Sequence, residues 1–152
     1  MDSLQQLVVF NLDAQRYALR LSAVERIVMV AEITPLAKAP QIVLGVLNIQ
    51  GRVIPVIDIR KRFNLPARET LLSDHMIIAN TGARPVALVA DAVSGVIARR
   101  DGEITHPGKI VPGLEYVEGV VKLEDGLILI HDLETFLSLE EENALQHAME
   151  AT

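Results

Sequence analysis

No cysteine occurs among the 152 residues, which excludes disulfides and thiolate-held metals. Tryptophan is also missing and aromatics make up only 3% of the chain, so any core must be built from aliphatic side chains. Positive charge is in deficit: 14 Lys and Arg against 20 Asp and Glu leave a net charge of −6. Phosphate neutralisation needs clustered cations, so neither nucleic acid nor an anionic membrane is the expected main partner. No apolar run approaches the ~20 residues that span a bilayer. Met1-Asp2-Ser3 opens no signal peptide, since a charged n-region and an apolar h-region are both absent. The expectation is a cytoplasmic protein without direct membrane insertion. Half of the residues are hydrophobic, enough for one ordinary domain over 1–152 or two very small, closely packed units.

The side chains of catalysis are equally sparse. Four histidines are the only ordinary general bases. His75 follows Asp74 and His131 precedes Asp132, but adjacent side chains in a strand point apart, so neither pair makes a dyad. The glycines Gly95 and Gly102 lack the lysine and the long helix of a phosphate loop, and no serine sits in a Gly-x-Ser-x-Gly elbow. No catalytic, cofactor-binding or metal-ligating residue is therefore expected, and no cofactor. An alternative class, a small β-barrel hydrolase or ligand-binding protein using His75, His131 and nearby carboxylates, requires a convergent polar constellation that the sequence does not display.

What is present is backbone patterning. From Gly45 to Phe63 the chain reads as a strand, a tight turn at Gln50-Gly51, a second strand, and a short helical turn after Asp58. Asp58 is placed to accept amide hydrogen bonds as an N-cap. Gly45, Asp58, Gly119 and Asp132 are expected to serve as turn or cap positions. Leu7–Leu12 and Gln15–Leu21 flank Asp13-Ala14 as a hairpin, and Tyr116–Leu123 and Leu127–His131 flank Glu124-Asp125-Gly126 as another. Ser22-Ala23-Val24-Glu25 has capping-box spacing, though Ser22 fits equally as a strand-end hydroxyl. The cluster Arg60-Lys61-Arg62 reads as an exposed helical face or as the charged rim of an interface. From Leu133 the pattern turns helical, giving an expected tail over 133–150, with Ser138-Leu139-Glu140-Glu141 as a further capping box.

The chain also matches itself. At a spacing of 69 residues, Asn11 falls on Asn80, Ala18 on Ala87, Leu19 on Leu88 and Val24 on Val93. At a spacing of 74, Gly45 falls on Gly119, Ile54 on Ile128, Ile57 on His131 and Asp58 on Asp132. The change of spacing fits a longer loop in the second half, where Pro107-Gly108 and Pro112-Gly113 supply turns. Repeat halves of approximately 5–66 and 70–138 follow, too long for a solenoid unit. His131, in the place of Ile57, is then a packing residue.

These residues resemble the CheW family, the adaptor domains of bacterial chemosensory arrays. The likeness rests on Gly45-Val46, Asn48, Gly51, Pro55, Asp58, Arg60 and Phe63 in order and spacing. It is supported by Tyr17-Ala18-Leu19 with Val24-Glu25-Arg26-Ile27, and by Glu115-Tyr116 through Asp132-Leu133-Glu134. It covers about residues 5–140. The resemblance implies a mainly β fold of two small five-stranded SH3-like barrels from an internal duplication, packed on a shared core, with a C-terminal helix. It implies no enzymatic activity. The implied partners are a chemotaxis-type histidine kinase, through that kinase's own CheW-like domain, and the cytoplasmic tip of a chemoreceptor. By the same resemblance Val24, Asn48, Ile49, Gln50 and Gly51 lie at the receptor-binding groove. The family commonly carries Arg where this chain has Gln50, and Gln cannot make the bidentate ion pair that Arg offers a carboxylate.

Overall fold

The computed structural model describes residues 3–107 and 114–151. The turns expected at Pro107-Gly108 and Pro112-Gly113 fall on 108–113 and lie outside the described residues, apart from Pro107 itself. Along the chain run β1 (Leu4–Leu12), β2 (Gln15–Arg20), β3 (Val24–Met29), β4 (Val43–Ile49), β5 (Arg52–Ile57), α1 (Ile59–Arg62), β6 (His75–Asn80), β7 (Pro85–Ala90), β8 (Ala92–Arg100), β9 (Ile104–Thr105), β10 (Val117–Leu123), β11 (Gly126–His131) and α2 (Leu139–Glu150). The protein is mainly β, with two sheets and a C-terminal helix. One sheet has six strands in the order β8-β1-β2-β11-β10-β9, the other five in the order β3-β6-β7-β5-β4.

Each sheet takes strands from both sides of the 66–70 boundary. β5 runs parallel to β7, with Val56 opposite Ala87 and Ile57 opposite Leu88. β11 runs parallel to β2, with Ile130 opposite Ala18. Shifted by the repeat spacings, these are the same contact. The correspondence holds throughout the ladders. Val24 faces Ala79 across β3–β6, and Val93 faces Phe10 across β8–β1. Both ladders bulge past one residue, Glu25 in one and Ser94 in the other. Thr34 bridges Val46, and Thr105 pairs with Val120. The Asp58 amide donates to the Ile42 carbonyl at 2.7 Å, and the Asp132 amide donates to that of Tyr116 at 2.8 Å.

The central strands are apolar on both faces because both faces are covered. Leu7 and Val9 of β1 pack with Ala18, Val121, Ile128 and Ile130, while Phe10 and Leu12 turn to the opposite side. Met76 and Ile78 of β6 pack with Leu47, Ile54, Val56 and Ala87, while Ile77 turns the other way. Phe10, Leu12, Ile77, Leu88, Phe136 and Leu145 share the largest cluster, which joins the two sheets to the C-terminal segment. Burying each such aliphatic side chain contributes about 1.5–3 kcal/mol.

The helical tail expected over 133–150 begins later. Residues 133–138 form turns, and α2 starts at Leu139. The Ser138 hydroxyl accepts from the Glu141 amide at 3.1 Å and the Glu141 carboxylate accepts from the Ser138 amide at 2.8 Å, so the capping box sets the start. Leu133, Phe136 and Leu137 are buried in the core from the turns that precede it. Ser22 makes no capping bond: Leu21–Ala23 is a single 3-10 turn between β2 and β3.

Candidate functional site

The β4–β5 hairpin closes on a two-residue loop, Gln50-Gly51, between the paired Ile49 and Arg52. Both loop residues have positive φ, 52° at Gln50 and 84° at Gly51, the geometry of a type I′ turn. The Asn48 side chain accepts from the Gly51 amide at 2.8 Å and holds the turn. Asn48, Gln50 and Gly51 are exposed; Ile49 is half-buried. Val24 opens β3 at the bulge, half-buried against the main core. β3 is an edge of its sheet and β5 lies three strands away, yet Arg52 at the start of β5 donates to the Glu25 carboxylate of β3 at 2.7 Å. That hydrogen bond holds the exposed Glu25 carboxyl below its usual range. Val24 and Gly51 thus each adjoin one member of the same ion pair. Ile27, Met29 and Val53, at 40%, 56% and 46% exposed, leave apolar surface on these same strands.

Gly45 and Gly119 lie inside β4 and β10, one in each sheet, and not in the expected turns; close approach of a neighbouring segment explains both. A Cβ at Gly45 would stand 2.3 Å from the Thr34 carbonyl oxygen, and one at Gly119 would stand 2.7 Å from Ile104 Cγ2. Both residues sit where the chain beyond β3 or β8 crosses the hairpin. Asp58 caps α1, accepting from the Arg60 amide at 3.2 Å. Asp132 accepts from the Glu134 amide at 2.9 Å and from the Thr135 hydroxyl at 2.9 Å. Neither aspartate faces the other in an acid–base pair.

The basic cluster is not an exposed face. Arg60 is only 6% exposed and reaches across the sheet interface to Asp13 at 2.8 Å and Asp91 at 2.8 Å. Arg68 joins Asp91 to the buried Asp74. Burial alone would raise the Asp91 carboxyl, but bonds from Arg60, the Asp13 amide and Arg68 hold it below the usual carboxylate range. Arg62 ties α1 to the C-terminal helix through Glu141 at 2.7 Å and lies over the Tyr116 ring. Only Lys61 faces solvent fully, its ammonium donating to the Gln41 carbonyl. Sequence reading missed this network. The available signal was the three-residue spacing of Arg60 and Phe63, which puts them on one side of the helical turn.

The two histidines weighed for catalysis are not assembled. His75 lies in the five-stranded sheet and His131 in the six-stranded one. His131 is 2% exposed, stacked edge-on between Phe63 and Phe136. Burial lowers its pKa to about 4, against the pull of Asp132 and with a smaller push from Arg62. Among the described residues no group of three or more His, Cys, Asp or Glu side chains could hold a metal ion. No helix there is long and apolar enough to cross a membrane.

Known proteins are similar to this chain in sequence and fold. A family model described as "CheW-like domain" matches residues 6–141. The chain is 30% identical over 142 residues to "Chemotaxis protein CheW" of Rhizobium meliloti, covering 92% of each. It is 30% identical to the protein of the same description from Klebsiella aerogenes, covering 90% of this chain and 84% of that one. The crystal structure of the scaffolding protein TtCheW from Thermoanaerobacter tengcongensis superposes with a TM-score of 0.82 at 29% identity, covering 91% of this chain and 96% of that one.

Proposed function

The chain belongs to the CheW family, as a non-enzymatic scaffolding adaptor of chemotaxis signalling, and on that premise we propose which partners it joins and where. One is the cytoplasmic tip of a chemoreceptor; the other is a chemotaxis-type histidine kinase, engaged through that kinase's own CheW-like domain. Both partners place the protein in the cytoplasm. The receptor contacts Val24, Asn48, Ile49, Gln50 and Gly51. The observation that carries this reading is the Arg52–Glu25 pair, which draws the hairpin tip and the start of β3 into one surface with exposed Ile27, Met29 and Val53 beside it. A helical receptor tip laid on such a surface is held by a few apolar anchors.

The chain is a single domain over 1–152 with repeat halves of about 5–66 and 70–138. Each half contributes to two SH3-like barrels of five main strands, with the two-residue β9 as a sixth strand where five were expected; they arose by duplication and share the core around Phe10, Ile77 and Phe136. The paired bulges at Glu25 and Ser94 and the paired bridges at Thr34 and Thr105 support that reading.

Titration calorimetry against a receptor-tip fragment and a kinase CheW-like domain tests the assignment. Val24→Asp puts a charge where the receptor must exclude water, and weakens receptor binding by about 2 kcal/mol with little effect on the kinase. Gln50→Arg restores the side chain common in the family, and strengthens binding only to a receptor carrying the matching carboxylate. Equal affinity of parent and both variants for every partner would remove this surface from consideration.

A further inference from the structure

In the five-stranded sheet the Arg52–Glu25 pair bridges the gap between the hairpin tip and β3. At the repeat spacings Gly126 and Ser94 take those two places in the six-stranded sheet, and they make no such bridge. The gap between β8 and the β10–β11 tip remains as a cavity of about 240 Å³. Val9, Ile97, Leu123 and Ile128 line it, all members of the apolar cluster of that sheet. Arg16 and Arg99 complete the wall that matters here. Drug-sized sites occupy roughly 300–1,000 Å³, so this one suits a single aliphatic side chain.

The backbone beside this cavity has a free edge. β8 is the first strand of its sheet, so one side of it carries no neighbouring strand among the described residues. β9 covers β10 only at Val120 and Val121, which leaves Leu123 uncovered on that side. Such an edge offers amides and carbonyls to an added strand. Along β8, Ile97 and Arg99 are half-buried while Val96, Ala98 and Arg100 are exposed. Ile97 and Arg99 therefore share the cavity face, as the two-residue period of a strand requires. Charge selects what is added. Arg16 is compensated by Asp125. Arg99 makes no ion pair among the described residues; its guanidinium donates to the Ala98 carbonyl at 2.8 Å. At the repeat spacing Arg99 falls on Val30 and Arg16 on Pro85, so neither cation has a counterpart beside the receptor surface. One uncompensated positive charge on an apolar wall favours a carboxylate and repels a basic segment.

We propose that this slot binds an extended acidic segment of a partner protein, added along the free edge of β8, with an aliphatic side chain in the cavity and a carboxylate two residues away on Arg99. Side chains two apart on a strand lie on one face, so the pair meets Ile97 and Arg99 together. The site is on the other sheet from the receptor surface and does not depend on that reading.

The test is a titration of the full chain, followed by amide NMR shifts, with the blocked heptapeptide Thr-Glu-Thr-Ile-Thr-Glu-Thr. Its symmetry places a Glu two residues from the Ile whichever way the strand runs. It is expected to shift residues 94–99 and Leu123. Replacing both Glu by Gln should weaken binding roughly threefold, replacing them by Lys should weaken it further, and replacing the Ile by Gly should weaken it roughly tenfold. On the protein, Arg99→Gln should cost roughly threefold. Ser94→Glu puts a carboxylate beside the slot at the bulge position where Glu25 stands in the other sheet, and should weaken binding more than Arg99→Gln while the protein melts normally. Three results would overturn the proposal: no shifts at 94–99 with the parent peptide, Gln or Lys peptides that bind as tightly as it does, or undiminished binding by folded Arg99→Gln and Ser94→Glu variants.

Discussion

Replacing Arg60 by Met tests whether the interface between the sheets depends on the most deeply buried cation among the described residues. Met keeps much of the apolar stem, so the change isolates the charge. The guanidinium donates to Asp13 at 2.8 Å, to both Asp91 oxygens at 2.8 and 2.9 Å, and to the Pro66 carbonyl at 3.1 Å. Removing one partner from a fully buried pair costs about 3–5 kcal/mol. Here Asp13 is 43% exposed and Asp91 25% exposed, so both can rehydrate in part, and Arg68 still holds Asp91. The expected loss is therefore smaller, about 2 kcal/mol. For a domain of this size each kcal/mol moves the melting temperature by about 2–4 °C, giving a drop of about 4–8 °C by calorimetry at neutral pH. The pH dependence adds a second readout. Asp91 is held below its ordinary value of 3.8, so its contribution is present above that pH and is lost as pH falls through the lower native value. The gap between parent and Arg60→Met should narrow as the solution is acidified below about pH 4. A variant as stable as the parent at pH 7, or a gap of constant size down to pH 2, would refute the account.

Two other perturbations follow from backbone contact and burial. Gly45→Ala drives a Cβ to 2.3 Å from the Thr34 carbonyl oxygen, so urea unfolding should show a loss of about 2 kcal/mol or more; an unchanged midpoint would mean that the chain beyond β3 does not cross β4 there. His131 titrates near 6.5 when unfolded but at about 4 in the native core, so the unfolded state takes up the proton first and stability falls as pH drops from 6.5 toward 4, by on the order of 2–3 kcal/mol. His131→Leu should flatten the stability profile over that window, and a profile as steep as the parent's would show that another group carries the transition.

The hairpins were legible because their signals are local. Gln50-Gly51 between two β-branched strands specifies a two-residue turn whatever surrounds it, and Ser138 with Glu141 marks a helix start within four residues. Asp58 was likewise readable as a helix cap from its place after a strand, whereas Asp132 holds a turn with no helix after it. The exchange of strands between halves was not readable. A parallel pairing such as Val56 with Ala87 is fixed by apolar burial on both faces, and an unbroken apolar run does not name its neighbour. The same blindness hid Arg60. Its partners Asp13 and Asp91 lie 47 and 31 residues away, and a charge triplet on a short helical turn ordinarily faces water. His131 was placed correctly in the core only through its match to Ile57, since nothing about a histidine beside an aspartate suggests burial between two phenylalanines.

Where the corresponding positions differ is as informative as where they agree. Most interior matches keep their type, Ile54 with Ile128, Ala18 with Ala87 and Val24 with Val93, whereas buried Ile57 falls on His131. At the hairpin tips only Ile49 against Leu123 keeps its type, while Asn48, Gln50, Gly51 and Arg52 are set against Lys122, Glu124, Asp125 and Gly126. The Glu25–Arg52 ion pair has Ser94 and Gly126 in its place, so no such bond ties the second tip to β8. Instead Asp125 pairs with Arg16 of β2. The two hairpin tips thus differ in charge character on ladders of corresponding register. Surfaces of distinct chemistry on one core favour different ligands, which limits competition for either surface. The tips diverge together with the Arg60–Glu134 and Ile57–His131 positions, while most apolar matches of the core keep their type.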